Sequence, residues 1–110
     1  YQSLWNNDAV LTTGLKGFTA LIEYGWVDEP KPSIFLEVTD GRVTAIHPTA
    51  PRAPDFEMKA TRENWQRMLD GTLSGRAALL TKKLKFKGSM ITAMRYMGPF
   101  EKSIALLSKA

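Results

Sequence analysis

Cysteine is absent from the 110 residues, which excludes a disulfide framework and thiolate chemistry. A reducing, cytoplasmic setting is compatible with that composition. Histidine occurs once, as His47, with Pro48 directly after it. A general base needs a partner that orients it and tunes its pKa, and no sequence neighbour of His47 supplies either. One histidine, no cysteine and scattered carboxylates make no metal-ligand set. Neither a Gly-x-Gly-x-x-Gly run nor a P-loop is present, so no nucleotide cofactor is expected. No apolar run approaches the ~20 residues that a membrane span needs. No signal peptide is seen, and the closing Ser108-Lys109-Ala110 departs from the peroxisomal Ser-Lys-Leu address at its last residue. These absences point away from an enzyme: no catalytic residue, metal or cofactor is expected.

What remains is an ordinary globular composition on a basic chain. Area scaling gives a folded surface of about 6,100 Å² against roughly 17,800 Å² for the extended chain, which buries enough for one core. A single domain over residues 1–110 is expected. The net charge is +4, but the excess is local. Lys82, Lys83, Lys85 and Lys87 fall close together, while the first 30 positions are slightly acidic. Tyr1 in place of Met leaves room for preceding residues or for a larger parent protein.

Residues 3–14 read as a helix stopped by Gly14. Phe18, Ala20, Ile22, Tyr24 and Trp26 then alternate with their neighbours in the two-residue period of a strand. Glu29-Pro30-Lys31-Pro32 breaks it, because proline cannot donate to a sheet ladder. Residues 34–38 and 43–47 flank Asp40-Gly41, a dipeptide that readily takes the positive φ values of a tight hairpin turn. After a loop with three prolines, Phe56, Met58 and Ala60 alternate with Asp55, Glu57 and Lys59 in a fourth strand. Thr61 can cap a helix to Asp70 that ends at Gly71, and a short helix runs from Ser74 to Thr81. Residues 83–87 form a strand with Leu84 and Phe86 inward and the lysines in water. Ser89 opens a helix with Met90, Met94 and Met97 on one stripe. Gly98-Pro99 breaks the chain before a last helix with Phe100, Ile104 and Leu107 on one side. Without βα alternation in the first half, the class is α+β.

Several of these segments resemble the sterol-carrier-protein-2-like family in order and spacing. The turn Asp40-Gly41-Arg42-Val43 is similar to the family's Asp-Gly-x-Val. Thr61-x-x-x-Trp65-x-x-Met68-Leu69-x-Gly71 is similar to its helix after the fourth strand. The segment from Ala77 to Gly88, with Leu84-Lys85-Phe86-Lys87-Gly88, resembles its Ala-…-Gly-Lys-Leu-Lys-x-x-Gly stretch. Two positions depart from the pattern. Lys82 stands where the family has glycine, which predicts a differently shaped corner, and Ser89 replaces Asp or Asn as a cap. The resemblance implies a twisted, five-stranded, mainly antiparallel sheet covered by helices, with an apolar tunnel between the layers. It further implies binding or transfer of fatty acids, acyl-coenzyme A or sterol-like lipids without chemistry on them. Family members occur alone and as terminal domains of larger enzymes.

Methionine is flexible and polarizable, so a methionine stripe suits a surface that fits more than one shape, although plain core packing gives the same pattern. With the bulky strand residues added, the expected lining is Tyr24, Trp26, Trp65, Phe86, Met90, Met94, Met97, Phe100 and Ile104. Lys82, Lys83, Lys85 and Lys87 have two readings. One is a wet, protected sheet edge. The other is contact with a ligand head group or, transiently, with an anionic membrane. Nucleic acid is not an expected partner, because the aromatics alternate into the core rather than lying among the basic residues. A carrier with a filled cavity is expected to be monomeric. The rival reading is a structural or dimerisation domain of a larger enzyme, packing its apolar face on a partner.

Overall fold

In the computed structural model, which describes residues 2–28, 30 and 32–107 (Leu107 by its backbone alone), five strands form one sheet and helices cover one of its faces. The elements are α1 (Gln2–Asn6), α2 (Ala9–Gly14), β1 (Ala20–Trp26), β2 (Ile34–Thr39), β3 (Arg42–His47) and β4 (Phe56–Ala60). They continue as α3 (Arg62–Asp70), α4 (Gly75–Leu80), β5 (Leu84–Lys87), α5 (Met90–Arg95) and α6 (Met97–Leu107). The part of the Glu29-to-Pro32 break at Glu29 and Lys31, the tail Ser108-Lys109-Ala110 and the Leu107 side chain lie outside the described residues.

The sheet order is β3-β2-β1-β4-β5. Three of its pairings are antiparallel, and β1 with β4 is parallel, with Tyr24 opposite Met58 and Trp26 opposite Ala60. A parallel neighbour requires a crossover. Here the proline-rich loop supplies it, running from the β3 edge back across the outer face. Arg52 of that loop reaches Glu37 at 3.1 Å. Asp55 bonds the Leu21 backbone twice, donating its N–H to the carbonyl and accepting the Leu21 N–H on its carboxylate, each at 2.8 Å. The hairpin turn takes the expected form, with Asp40 at φ 49° and Gly41 at φ 79°. Trp5 of α1 donates its indole N–H to the Gly41 carbonyl, which ties the N-terminal helices to the hairpin.

The helical layer follows its capping residues. Thr61 accepts from Asn64 N–H at 3.1 Å, and Gly71 closes α3 in the left-handed conformation. Ser74 and Ser89 cap α4 and α5 in the same way. Three expectations need correction. The helix over 3–14 is two helices, because the Asp8 carboxylate accepts from Val10 and Leu11 N–H and starts a new one. Gly14 is the last residue of α2 but not its cap, which is Leu15, and a side chain at Gly14 would meet the Pro99 ring at 2.7 Å. Gly98-Pro99 does not break the chain either: Pro99 sits in the first turn of α6, where its missing N–H has no helical partner to lose.

The core lies between the layers. Trp5, Leu36, Val38, Met58, Leu84 and Ile104 are among its buried residues. Leu84 points inward and Phe86 is half-buried, while Lys85 and Lys87 are exposed, as the alternation of β5 predicts. Lys82 takes a left-handed backbone, φ 61°, a conformation that favours glycine.

Candidate functional site

The inner face of β1 carries Ile22, Tyr24 and Trp26, and register extends this row onto the hairpin, with Ile22 opposite Leu36 and Tyr24 opposite Ile34. Leu36 is in turn opposite Ile46. Over this floor lie two apolar cavities that share Tyr24 as a wall.

The first cavity lies among β1, β4, β5 and α5–α6, and its volume is only about 50 Å³. Aromatic rings fill it: the Phe18 centroid is 5.1 Å from Tyr96 and 5.9 Å from Phe56, and Phe56 is 5.7 Å from Phe86. Tilted and edge contacts at such distances are the favoured aromatic geometry, so this end is close to solid. The second cavity is larger, about 320 Å³, and lies between the hairpin and α3. Gly25, Trp26, Ile34, Leu36, Ile46, Trp65 and Leu69 complete its wall. Trp65 donates its indole N–H to the Gly25 carbonyl at 2.9 Å, which satisfies the one polar atom of that ring. Its faces remain apolar, with Tyr24 and Trp26 edge-on at 6.2 and 6.4 Å. Ile34 and Ile46 are partly exposed, so this cavity opens to solvent along the hairpin.

Of the expected lining, Tyr24, Phe86 and Phe100 bound the small cavity, and Tyr24, Trp26 and Trp65 bound the large one. The methionine stripe does not hold together. It presumed one helix through Met97, but α5 ends at Arg95 and the chain turns at Tyr96. Met90 and Met94 therefore face outward, while Thr92, Ala93 and Tyr96 take the inner side. Met97 falls into α6 and is buried without reaching either cavity. Ile104 is also solid core, packed toward Gly75. Sequence reasoning missed Ile34, Leu36, Ile46 and Leu69 as walls. The alternation of the hairpin, aligned on Asp40-Gly41, was the signal that could have placed the three strand residues.

The outer face carries charge. His47 is 3.0 Å from the Glu37 carboxylate, and Arg52 bridges Glu37 and Asp55. Hydrogen bonds from His47 and then Arg52 hold the Glu37 carboxyl below its ordinary value. Lys59 and Lys87 share Glu57 at 3.6 Å. Lys82, Lys83, Lys85 and Lys87 are all exposed and border neither apolar cavity. Among the described residues no three His, Asp or Glu side chains gather as a metal site. No helix there is long and apolar enough to cross a membrane.

Residues 5–101 match the model of the SCP-2 sterol transfer family. The chain belongs to that family. The architecture agrees with this. A crystal structure of sterol carrier protein 2 superposes with a TM-score of 0.86 over 100% of this chain and 92% of that one, at 17% identity. A conserved protein of Thermus thermophilus does so with a TM-score of 0.80 over 96% and 79%, again at 17% identity. A similar fold forms part of a stereoselective inverting sec-alkylsulfatase from a Pseudomonas species. There the match covers 79% of this chain but only 14% of the enzyme, with a TM-score of 0.57 and 19% identity. At these identities the likeness is one of fold. A comparison with curated proteins finds no match.

Proposed function

We propose that this SCP-2 domain binds and transfers apolar ligands (fatty acids, acyl-coenzyme A or sterol-like lipids) without acting on them chemically. Family membership supports the general task, and one observation supports the proposed placement. The 320 Å³ cavity floored by Tyr24, Leu36 and Ile46 and closed by Trp65 is apolar and open at one side. That volume stands at the lower end of the range usual for small-molecule sites. Each buried methylene contributes about 0.8 kcal/mol, so ten give ~8 kcal/mol before ordering and association costs are subtracted. Micromolar affinity with little head-group selectivity follows. Tyr24, Trp26 and Trp65 are the principal contacts in this reading, and Phe86 and Phe100 guard a narrow inner extension beyond Tyr24.

A fluorescent fatty acid is expected to bind near one per chain and to be displaced by an unlabelled one. Loss of saturation or of displacement would count decisively against the carrier. The rival reading, a structural domain of a larger enzyme, draws on the alkylsulfatase match, in which the fold is a small part of a long chain. Sedimentation separates the two, since a carrier stays monomeric and an interface module self-associates.

A further inference from the structure

We propose that α5 is a docking element for an anionic lipid bilayer, inserting Met90, Ile91 and Met94 beneath the head groups. The helix is unusual in what it shows to water: Met90 is 48% exposed, Ile91 86% and Met94 42%. These three side chains lie within five positions of one another on a six-residue helix that has no buried residue. Its inner side is committed, because Thr92 and Ala93 line the small aromatic cavity with Tyr96. Thus one short element has an inner side on the apolar interior and an outer side of bare hydrocarbon.

Charge decides what covers it. Between Asp70 and Glu101 the sequence has no acidic residue, yet it carries Arg76, Lys82, Lys83, Lys85, Lys87 and Arg95. Arg95 is the last residue of α5, and Lys87 precedes its start by three positions. Lys87 is 83% exposed, and its partner Glu57 is shared with Lys59, so a cationic excess remains. An apolar tip flanked by cations complements a bilayer whose interior is hydrocarbon and whose surface is negative. A second copy fits poorly, because a two-fold contact through α5 would bring Lys87 and Arg95 of each chain against the same charges of the other.

The proposal goes beyond the carrier reading and does not depend on it, since α5 walls the small aromatic end and not the larger cavity that opens along the hairpin. It also gives the lysine run a different place in function: Lys87 and Arg95 attract the surface, but the apolar tip holds it. Vesicle flotation tests this with equimolar phosphatidylcholine and phosphatidylserine, against phosphatidylcholine alone. Wild type is expected to bind only the anionic vesicles, and Ile91→Asp to bind at least tenfold less tightly, with an unchanged circular dichroism spectrum. A Lys87→Gln, Arg95→Gln double variant should lose roughly 25-fold, since each cation near such a surface contributes about fivefold. Fatty-acid binding in buffer should survive in both variants. Equal vesicle affinity for Ile91→Asp and wild type overturns the proposal. So does wild-type self-association that Ile91→Asp abolishes, which would make a second copy the occupant. If vesicle docking behaves as expected while no fatty acid binds the wild type, the carrier reading alone fails.

Discussion

Lys82 holds a backbone conformation that favours glycine, at a local cost. Its backbone sits at φ 61°, a conformation in which Cβ crowds the following carbonyl and costs roughly 1–2 kcal/mol for a non-glycine residue. Glycine removes that penalty but loses more chain entropy on folding, by about 0.5–1 kcal/mol. Lys82→Gly is therefore expected to raise stability by a net ~0.5–1 kcal/mol, read as a higher urea midpoint with an unchanged slope. A lower midpoint would mean that the lysine side chain compensates its own strain. Glu37 offers a pH-dependent counterpart. Because its carboxyl is held below the ordinary 4.5 in the folded state, its contribution is complete above that value and fades as pH falls through the depressed pKa. Glu37→Gln should thus sit below wild type above about pH 4.5, and the margin should close at more acidic values. The group is on the surface, so the margin is small. Urea titrations of both proteins across that range measure it. A gap that widened in acid would contradict the pairing with His47 and Arg52.

At the scale of elements, the boundary between α1 and α2 is the clearest place to test what the sequence conceals. Asp8 accepts from two backbone N–H groups and approaches Lys102 of α6 at 3.8 Å, so it both starts α2 and ties it to the C-terminal helix. Asp8→Ala is expected to cost about 1 kcal/mol, the usual worth of an N-cap, with Asp8→Asn recovering most of it. Equal losses in the two variants, by thermal melting, would assign the effect to the ion pair instead. The same boundary marks the limit of periodicity. Strand alternation, the Asp40-Gly41 turn and the caps at Thr61 and Ser89 were legible because each depends on residues a few positions apart. The α1–α2 and α5–α6 breaks were not, since Leu4, Leu11 and the methionines satisfy a helical spacing whether or not the axis changes direction between them. Pro99 misled for a related reason: proline marks a helix start as readily as an end. The parallel partnership of β1 with β4 depends on the path of the proline-rich loop over the outer face, which no local pattern encodes. For the site, the aromatics of β1 and Trp65 were readable. The hairpin isoleucines required the register between strands.

For the molecule as a whole, the question is whether the space between its layers is used or merely left over. The aromatic end holds about 50 Å³ and the hairpin end about 320 Å³, so a guest must enter from the hairpin side and meet Tyr24 at its inner limit. Ile46 is suited to deciding this, because it borders the large cavity while 43% exposed, so it bears little of the core. In Ile46→Trp the indole can swing over the opening without displacing a buried neighbour. Fatty-acid affinity should then fall by tenfold or more, while stability stays within about 1 kcal/mol of wild type, as for other substitutions at partly exposed sites. A filled cavity should also reveal itself from within, since Trp65 and Trp26 form its wall and their fluorescence in the unsubstituted protein should shift as a fatty acid is titrated in. If Ile46→Trp binds as tightly as wild type and the tryptophan signal stays flat, the guest occupies some other surface. The opening along the hairpin would then be a packing defect of the fold, with no part in binding.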